Sequence, residues 1–201
     1  RAEPRAHTRD EGPFQYANLA DRSQRVRHLI DEQTPAALEM RPDLVSILIG
    51  ANDLVGPAPV IPALVAEVES AVRAVRRTGA DVLLVTTFLP RRAAARIFAR
   101  RFSAYNVELR RIARTHGAIL LDLEAVAEVG DLPLWADDLV HLRSRGHRLV
   151  AYRAAEALGV PDADALLGLD EALHADDDVP QGGWLLRDAL PWVWRRVGGR
   201  T

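Results

Sequence analysis

Three continuous apolar runs constrain this chain more than any other feature. They are Leu44-Val-Ser-Ile-Leu-Ile49, Asp81-Val-Leu-Leu-Val-Thr-Thr-Phe88 and Ala118-Ile-Leu-Leu-Asp122. Each is short, and the first carries three β-branched aliphatic residues. Runs of this length read as strands, and a strand apolar on successive residues is buried on both faces. Such strands belong to parallel sheets covered by helices on either side. The stretches between them carry helical spacing. Leu64, Val65, Val68, Val72 and Val75 fall on one side of a helix from about Ile61 to Arg77. Phe98, Phe102, Tyr105, Leu109 and Ile112 do the same from about Arg92 to His116, and a last core helix is expected from about Ser144 to Leu158. A helical pattern from Gln24 to Met40 contains Pro35, which predicts a kink or a division there. Phe14 to Ala20 alternates as a short strand. Strands alternating with helices predict an α/β domain with a mostly parallel sheet.

The 201 residues suit one such domain. The expected organisation is an α/β domain over residues 1–160, then an acidic loop and a Trp-rich tail over 161–201. Trp184, Trp192 and Trp194 are poor solvent-facing residues, so the tail is expected to pack onto the domain or a partner. A net charge of −2 gives no basic field for nucleic acid. The absence of Cys excludes disulfides, thiolate catalysis and Cys-ligated zinc. No apolar run approaches a transmembrane length, and no membrane partner is expected. Gly-rich phosphate loops are missing, so no nucleotide cofactor is expected, and no metal. The residues show no signal peptide, which gives a cytoplasmic expectation; the start at Arg1 rather than Met suggests a fragment. Oligomeric state is not legible.

In parallel α/β sheets, sites form at the C-terminal strand ends. The first run ends in Gly50-Ala-Asn52-Asp53. Gly lets the backbone turn sharply, Asn52 offers an amide donor suited to an oxyanion, and Asp53 is able to brace the loop by accepting backbone amides. Taken alone, this is equally an Asx turn closing a strand. Further on, Asp138-x-x-His141 precedes the last core helix. An acid three residues before a His is a compact way to present an oriented imidazole, although a lone His is commonly structural. His147 reads as a structural residue on that helix, and His7, His28, His116 and His174 show no partner spacing. The acidic run Asp176 to Asp178 and the arginines between Arg91 and Arg101 read as solvated faces.

Together, Gly-x-Asn-Asp after a central strand and Asp-x-x-His before the last core helix resemble the SGNH (GDSL-type) hydrolase family. Tyr16-Ala-Asn-Leu-Ala20 is similar to that family's second strand, and the resemblance runs from Phe14 onward. It implies a three-layer α/β/α sandwich of flavodoxin-like SGNH type, and metal-free hydrolysis of small acyl esters through an acyl-enzyme. By position it implies His141 as base, Asp138 as orienting acid, Asn52 as oxyanion donor, and Gly50 and Asp53 as residues shaping that loop.

Two positions depart from the pattern. No Gly-Asp-Ser occurs among the 201 residues, so the family's first strand and nucleophile are expected to lie in a longer natural protein. Ser23 stands where the family usually has the Gly of its oxyanion loop; its amide survives the change, but a Ser at positive φ carries strain. Of the remaining serines, Ser46 is expected inside a buried strand, Ser70 and Ser103 within helices, and Ser144 as a helix cap. The expected function is an esterase, lipase or carbohydrate deacetylase. The alternatives are a catalytically inactive SGNH-like domain that binds a ligand or partner and, more remotely, a nucleotide-binding doubly wound domain.

Overall fold

The computed structural model describes residues 15–163 together with 165, 167 and 168. Three parallel strands, β1 (Leu44–Ile47), β2 (Asp81–Val85) and β3 (Ile119–Leu121), lie side by side in sequence order. The register pairs Ser46 with Leu83 and Leu83 with Ile119. Helix α4 (Ile61–Arg77) joins β1 to β2, and α5 (Ala99–His116), led in by a 3-10 segment at Ala93–Phe98, joins β2 to β3. Helix α6 (Ser144–Ala157) follows β3 after two short 3-10 turns.

The pleat of β2 divides the core into two layers. Val82 and Leu84 face α4 and α5, where Val68, Val72, Tyr105, Leu109 and Ile112 are buried. Leu83 and Val85 face the other way, where Leu121 and Leu123 are buried and Val150 and Ala154 of α6 pack on them. Helices therefore cover both faces of β2, as its unbroken apolar run requires. Hydrophobic residues at helical spacing form these elements where the sequence places them.

Four local expectations change. First, β1 is not buried on both faces. Val45, Ile47 and Ile49 meet the α4–α5 layer, but Leu44, Ser46 and Leu48 are exposed, with Leu48 half accessible. Among the described residues β1 pairs only with β2, and α6 covers β2 and β3 without reaching it. Second, residues 15–20 form no strand, and Tyr16 is exposed. A strand needs a ladder partner; here Leu19 is tied only through its carbonyl, which accepts from Gln33 Nε2 at 2.8 Å. Third, the kink or division expected at Pro35 takes the form of a π-turn just before it, not a break in the chain's helical path. α1 (Val26–His28) continues through a π-turn (Leu29–Gln33) into α2 (Thr34–Glu39), with Pro35 in the first turn of α2. A wider turn accommodates a ring that has no N–H to give. Fourth, Ser144 is the first residue of α6 rather than its cap; the cap position is Arg143.

No helix among the described residues is long and apolar enough to cross a membrane. The aromatic tail expected around Trp184 to Trp194 lies outside the described residues.

Candidate active site

At the C-terminal end of β1 the chain turns at Gly50, whose φ of 107° lies in the left-handed region. A Cβ there would sit 2.7 Å from the ring and hydroxyl of Tyr105, so two independent constraints demand glycine. Tyr105 is fully buried, and its hydroxyl donates to Ile49 O at 3.3 Å. Burial, then the nearby Asp53 carboxylate, pushes its phenol far above the ordinary tyrosine range. The one-turn helix α3 (Ala51–Leu54) follows, and Arg101 of α5 donates to the carbonyls of Leu54 and Gly56 beyond it. Helix α5 thus fixes the turn at both ends.

The same turn is stitched to the segment before α1. Asn52 Nδ2 donates to Gln24 O at 2.9 Å, and Asp53 Oδ2 accepts from Val26 N–H at 3.1 Å. The latter bond satisfies a donor at the start of a helix, where a carboxylate is favourable. Ser23, next to Gln24, has a φ of 60°. The left-handed conformation is therefore kept although the residue is not glycine, at a cost of about 1 kcal/mol. Asn52, Asp53 and Ser23 are thus brought into one locus, with Gly50 beneath it.

The second locus is a short hairpin beyond β3. Trp135 and Leu142 form an antiparallel bridge; Ala136 N–H donates to His141 O at 2.8 Å and Arg143 N–H to Leu134 O at 2.8 Å. At its tip, Asp138 Oδ1 accepts the N–H groups of Val140 (2.9 Å) and His141 (3.0 Å), and Leu139 takes a φ of 54°. The other carboxylate oxygen meets His141 Nδ1 at 2.6 Å. Burial raises the Asp138 carboxyl, but the bonds from the His141 ring and from the His141 and Val140 amides outweigh it, so it titrates below the ordinary carboxylate value. An ionised carboxylate only accepts, so Nδ1 carries the proton, and in the neutral ring Nε2 holds the lone pair. The His141 side chain is 64% exposed, which leaves that lone pair accessible.

The hairpin rests on the domain through Trp135. Its indole N–H donates to Val129 O at 2.8 Å, and its ring meets Phe88 with centroids 5.5 Å apart. Gly146 on α6 lets the helix approach closely, since a Cβ there would lie 2.5 Å from Leu134 O. Phe88 also lines a cavity of about 340 Å³ between the ends of β2 and β3, with Thr87, Phe102, Val126 and Val129. Thr86 and Thr87, at this end of β2, are buried and engaged. Thr86 Oγ1 donates to Asp122, and the Thr87 N–H and hydroxyl both donate to Asn106 Oδ1.

What the Asn52 locus and the His141 hairpin share is the C-terminal end of the sheet. His147 is exposed on α6, and Ser46 points out from β1. His116, which has no partner by spacing, pairs through Nε2 with Glu69 on α4 at 2.8 Å, a contact 47 residues apart in sequence. Tyr105, Arg101 and Arg143 carry no motif; Tyr105 was marked by its place on the apolar face of α5, whereas Arg101, read as part of a solvated face, is half-buried and bonded to the turn. Among the described residues no group of three or more His, Asp or Glu is gathered as a metal site requires.

The family model of the GDSL-like Lipase/Acylhydrolase family matches residues 5–149. Among solved structures, the chain is similar to LAE5, an alpha/beta hydrolase enzyme from the metagenome of Lake Arreo, Spain, with 24% identity, 69% of each chain covered and a TM-score of 0.58. It is also similar to Axe2, an acetylxylan esterase from Geobacillus stearothermophilus, with 21% identity, 68% of each chain and a TM-score of 0.59. The acetyl xylan esterase AlAXEase gives 20% identity over 67% of this chain and 76% of that one, with a TM-score of 0.59. A search of curated proteins returned no match. These structural likenesses bear on the fold alone, an α/β fold with a parallel sheet.

Proposed function

Because the chain belongs to the GDSL-like lipase/acylhydrolase family, whose members hydrolyse acyl esters, we propose that His141 is the general base of a Ser-His-Asp esterase. The observation that carries this reading is the 2.6 Å bond from His141 Nδ1–H to Asp138, on a side chain that is 64% exposed. Nε2 removes the proton of the nucleophilic hydroxyl as it attacks the ester carbonyl, then returns it to the leaving alcohol. Water repeats the sequence on the acyl-enzyme. Asp138 holds the ring in the Nδ1–H tautomer and stabilises the imidazolium that forms.

Asn52 is the assigned side-chain donor to the tetrahedral oxyanion. Its bond to Gln24 O holds the carboxamide in the turn at the end of β1, where an amide donor suits a developing oxyanion. The Ser23 amide is the assigned loop donor, and Gly50 and Asp53 hold the turn. The nucleophile in this reading is the Ser of a Gly-Asp-Ser block, which the 201 residues do not contain. The proposed substrates are small acyl esters. Acetyl esters of sugars are the first to assay, because structures of the same fold are acetylxylan esterases.

The test is p-nitrophenyl acetate hydrolysis by the full-length protein and its His141→Ala variant. The expected loss is on the order of 10,000-fold; turnover equal to the parent would refute the assignment. DNA upstream of Arg1 is expected to encode an in-frame Gly-Asp-Ser. If it does not, and a fluorophosphonate fails to label the protein, a ligand-binding domain without turnover replaces the enzyme.

A further inference from the structure

The His141 hairpin has little to hold it in shape. It contains one bridge, its tip is exposed, and Leu139 sits in a backbone region that a branched side chain disfavours. A two-stranded hairpin is marginal by itself in water. Yet the Asp138–His141 bond needs the two sides of the tip to keep a fixed separation.

One residue spans both sides. Arg143 lies on the returning side, with its N–H on Leu134 O, and its side chain folds back over the outgoing side. Its Nε–H donates to Trp135 O at 2.8 Å, and its Nη2–H donates to Asp137 Oδ1 at 2.7 Å. Arg143 and Asp137 are about one-fifth and one-quarter exposed. The guanidinium therefore grips the outgoing side at two points, the second immediately before Asp138. A planar fork with fixed donor directions makes both bonds at once, which a lysine ammonium does not reproduce.

We infer that Arg143 is a positioning residue: by tying Trp135 and Asp137 to the returning side of the hairpin, it sets the Asp138–His141 distance and thereby the imidazole tautomer. Its catalytic consequence rests on the reading of His141 as base, whereas the tautomer does not. The pair Arg143–Asp137 holds the backbone, and the pair His141–Asp138 uses the geometry that results. A purely structural role would lower the melting temperature and leave the His141 ring nitrogens unchanged.

The test is long-range 1H–15N NMR of the His141 ring in the full chain, with Arg143→Met, Arg143→Lys and Asp137→Asn. The parent is expected to show one tautomer, with the proton on Nδ1. Arg143→Met is expected to show fast exchange between tautomers and loss of the Nδ1–H signal, with the amide spectra of β2 and α5 preserved. Arg143→Lys and Asp137→Asn are expected to fall between, each keeping part of the grip. If Arg143→Met does not fold, these two milder variants decide. Retention of the parent tautomer in every folded variant overturns the proposal. In the full-length protein, Arg143→Met is expected to lower kcat about 10- to 100-fold, the range for an outer partner of a catalytic group, with KM within about twofold. A fall in kcat with the tautomer intact also overturns it. Unchanged turnover in His141→Ala would sink the base assignment instead and leave the tautomer result standing.

Discussion

The two halves of the candidate site are built by opposite means. The Gly50–Asp53 turn is set into the core. Buried Tyr105 fills the space a Cβ would need, and Asp53 and Asn52 bond to the backbone of the preceding segment. The Asp138–His141 tip stands on the surface, with its ring 64% exposed and its shape drawn from bonds local to the hairpin. The difference matches the two tasks. A group that stabilises developing charge works best when fixed in advance, whereas a base has to stay reachable by a nucleophile and a leaving group. Damage to the first half should therefore appear in stability as well as rate, and damage to the second mainly in rate.

Mutations separate these outcomes. Beneath the large loss from His141→Ala, Asn52→Ala in the full-length protein is expected to lower kcat about 100- to 1000-fold. Steady-state kinetics on p-nitrophenyl acetate read it; a loss under threefold would mean that Asn52 only ties down Gln24. Gly50→Ala should destabilise the fold by about 3 kcal/mol, because the left-handed strain adds to the overlap with Tyr105. Urea denaturation measures it, and a change below about 1 kcal/mol would show that the turn relaxes freely. Ser23→Gly goes the other way. Releasing left-handed strain is expected to stabilise by about 1 kcal/mol, visible as a higher urea midpoint.

The smallest effect is on acid titration. Asp138 titrates below the ordinary aspartate value, because the His141 ring and the His141 and Val140 amides outweigh its burial. A carboxyl lowered in the folded state contributes stability above its unfolded value and loses it as pH falls through the folded one. The His141–Asp138 bond should therefore persist down through the pH at which a free aspartate protonates and fail only at more acid pH. A 13C titration of the Asp138 carboxyl with a midpoint at or above 3.8 would contradict this.

These contrasts also explain what the sequence made legible. The strands β2 and β3, and helices α4 and α5, were readable because Val82 to Val85 and the Val65–Val75 and Phe102–Ile112 faces state their burial by periodicity. β1 was misjudged because the run Leu44 to Ile49 looks the same whether or not a helix covers its second face; coverage is a property of the neighbours, not of the run. The Phe14–Ala20 pattern failed for the same reason, since alternation predicts a strand only where a partner exists. At the site, Asp138 and His141 were readable because their bond is local. The supports were not. Tyr105 under Gly50 and Arg101 on Gly56 act across 55 and 45 residues, each held by a hydrogen bond to a backbone carbonyl of the turn or its flank. Arg143 acts locally, but nothing in its spacing distinguishes it from any arginine at a helix start.

One claim is central, that the core-anchored Gly50–Asp53 turn and the exposed hairpin serve the same ester carbonyl. A crystal structure of the full-length protein labelled with a small alkyl fluorophosphonate tests it most directly. The account predicts an adduct on a Gly-Asp-Ser serine, with the phosphoryl oxygen within hydrogen-bond distance of Asn52 Nδ2 and with His141 Nε2 beside the serine oxygen. An adduct whose phosphoryl oxygen points away from Asn52, or whose serine lies out of reach of His141, would contradict it.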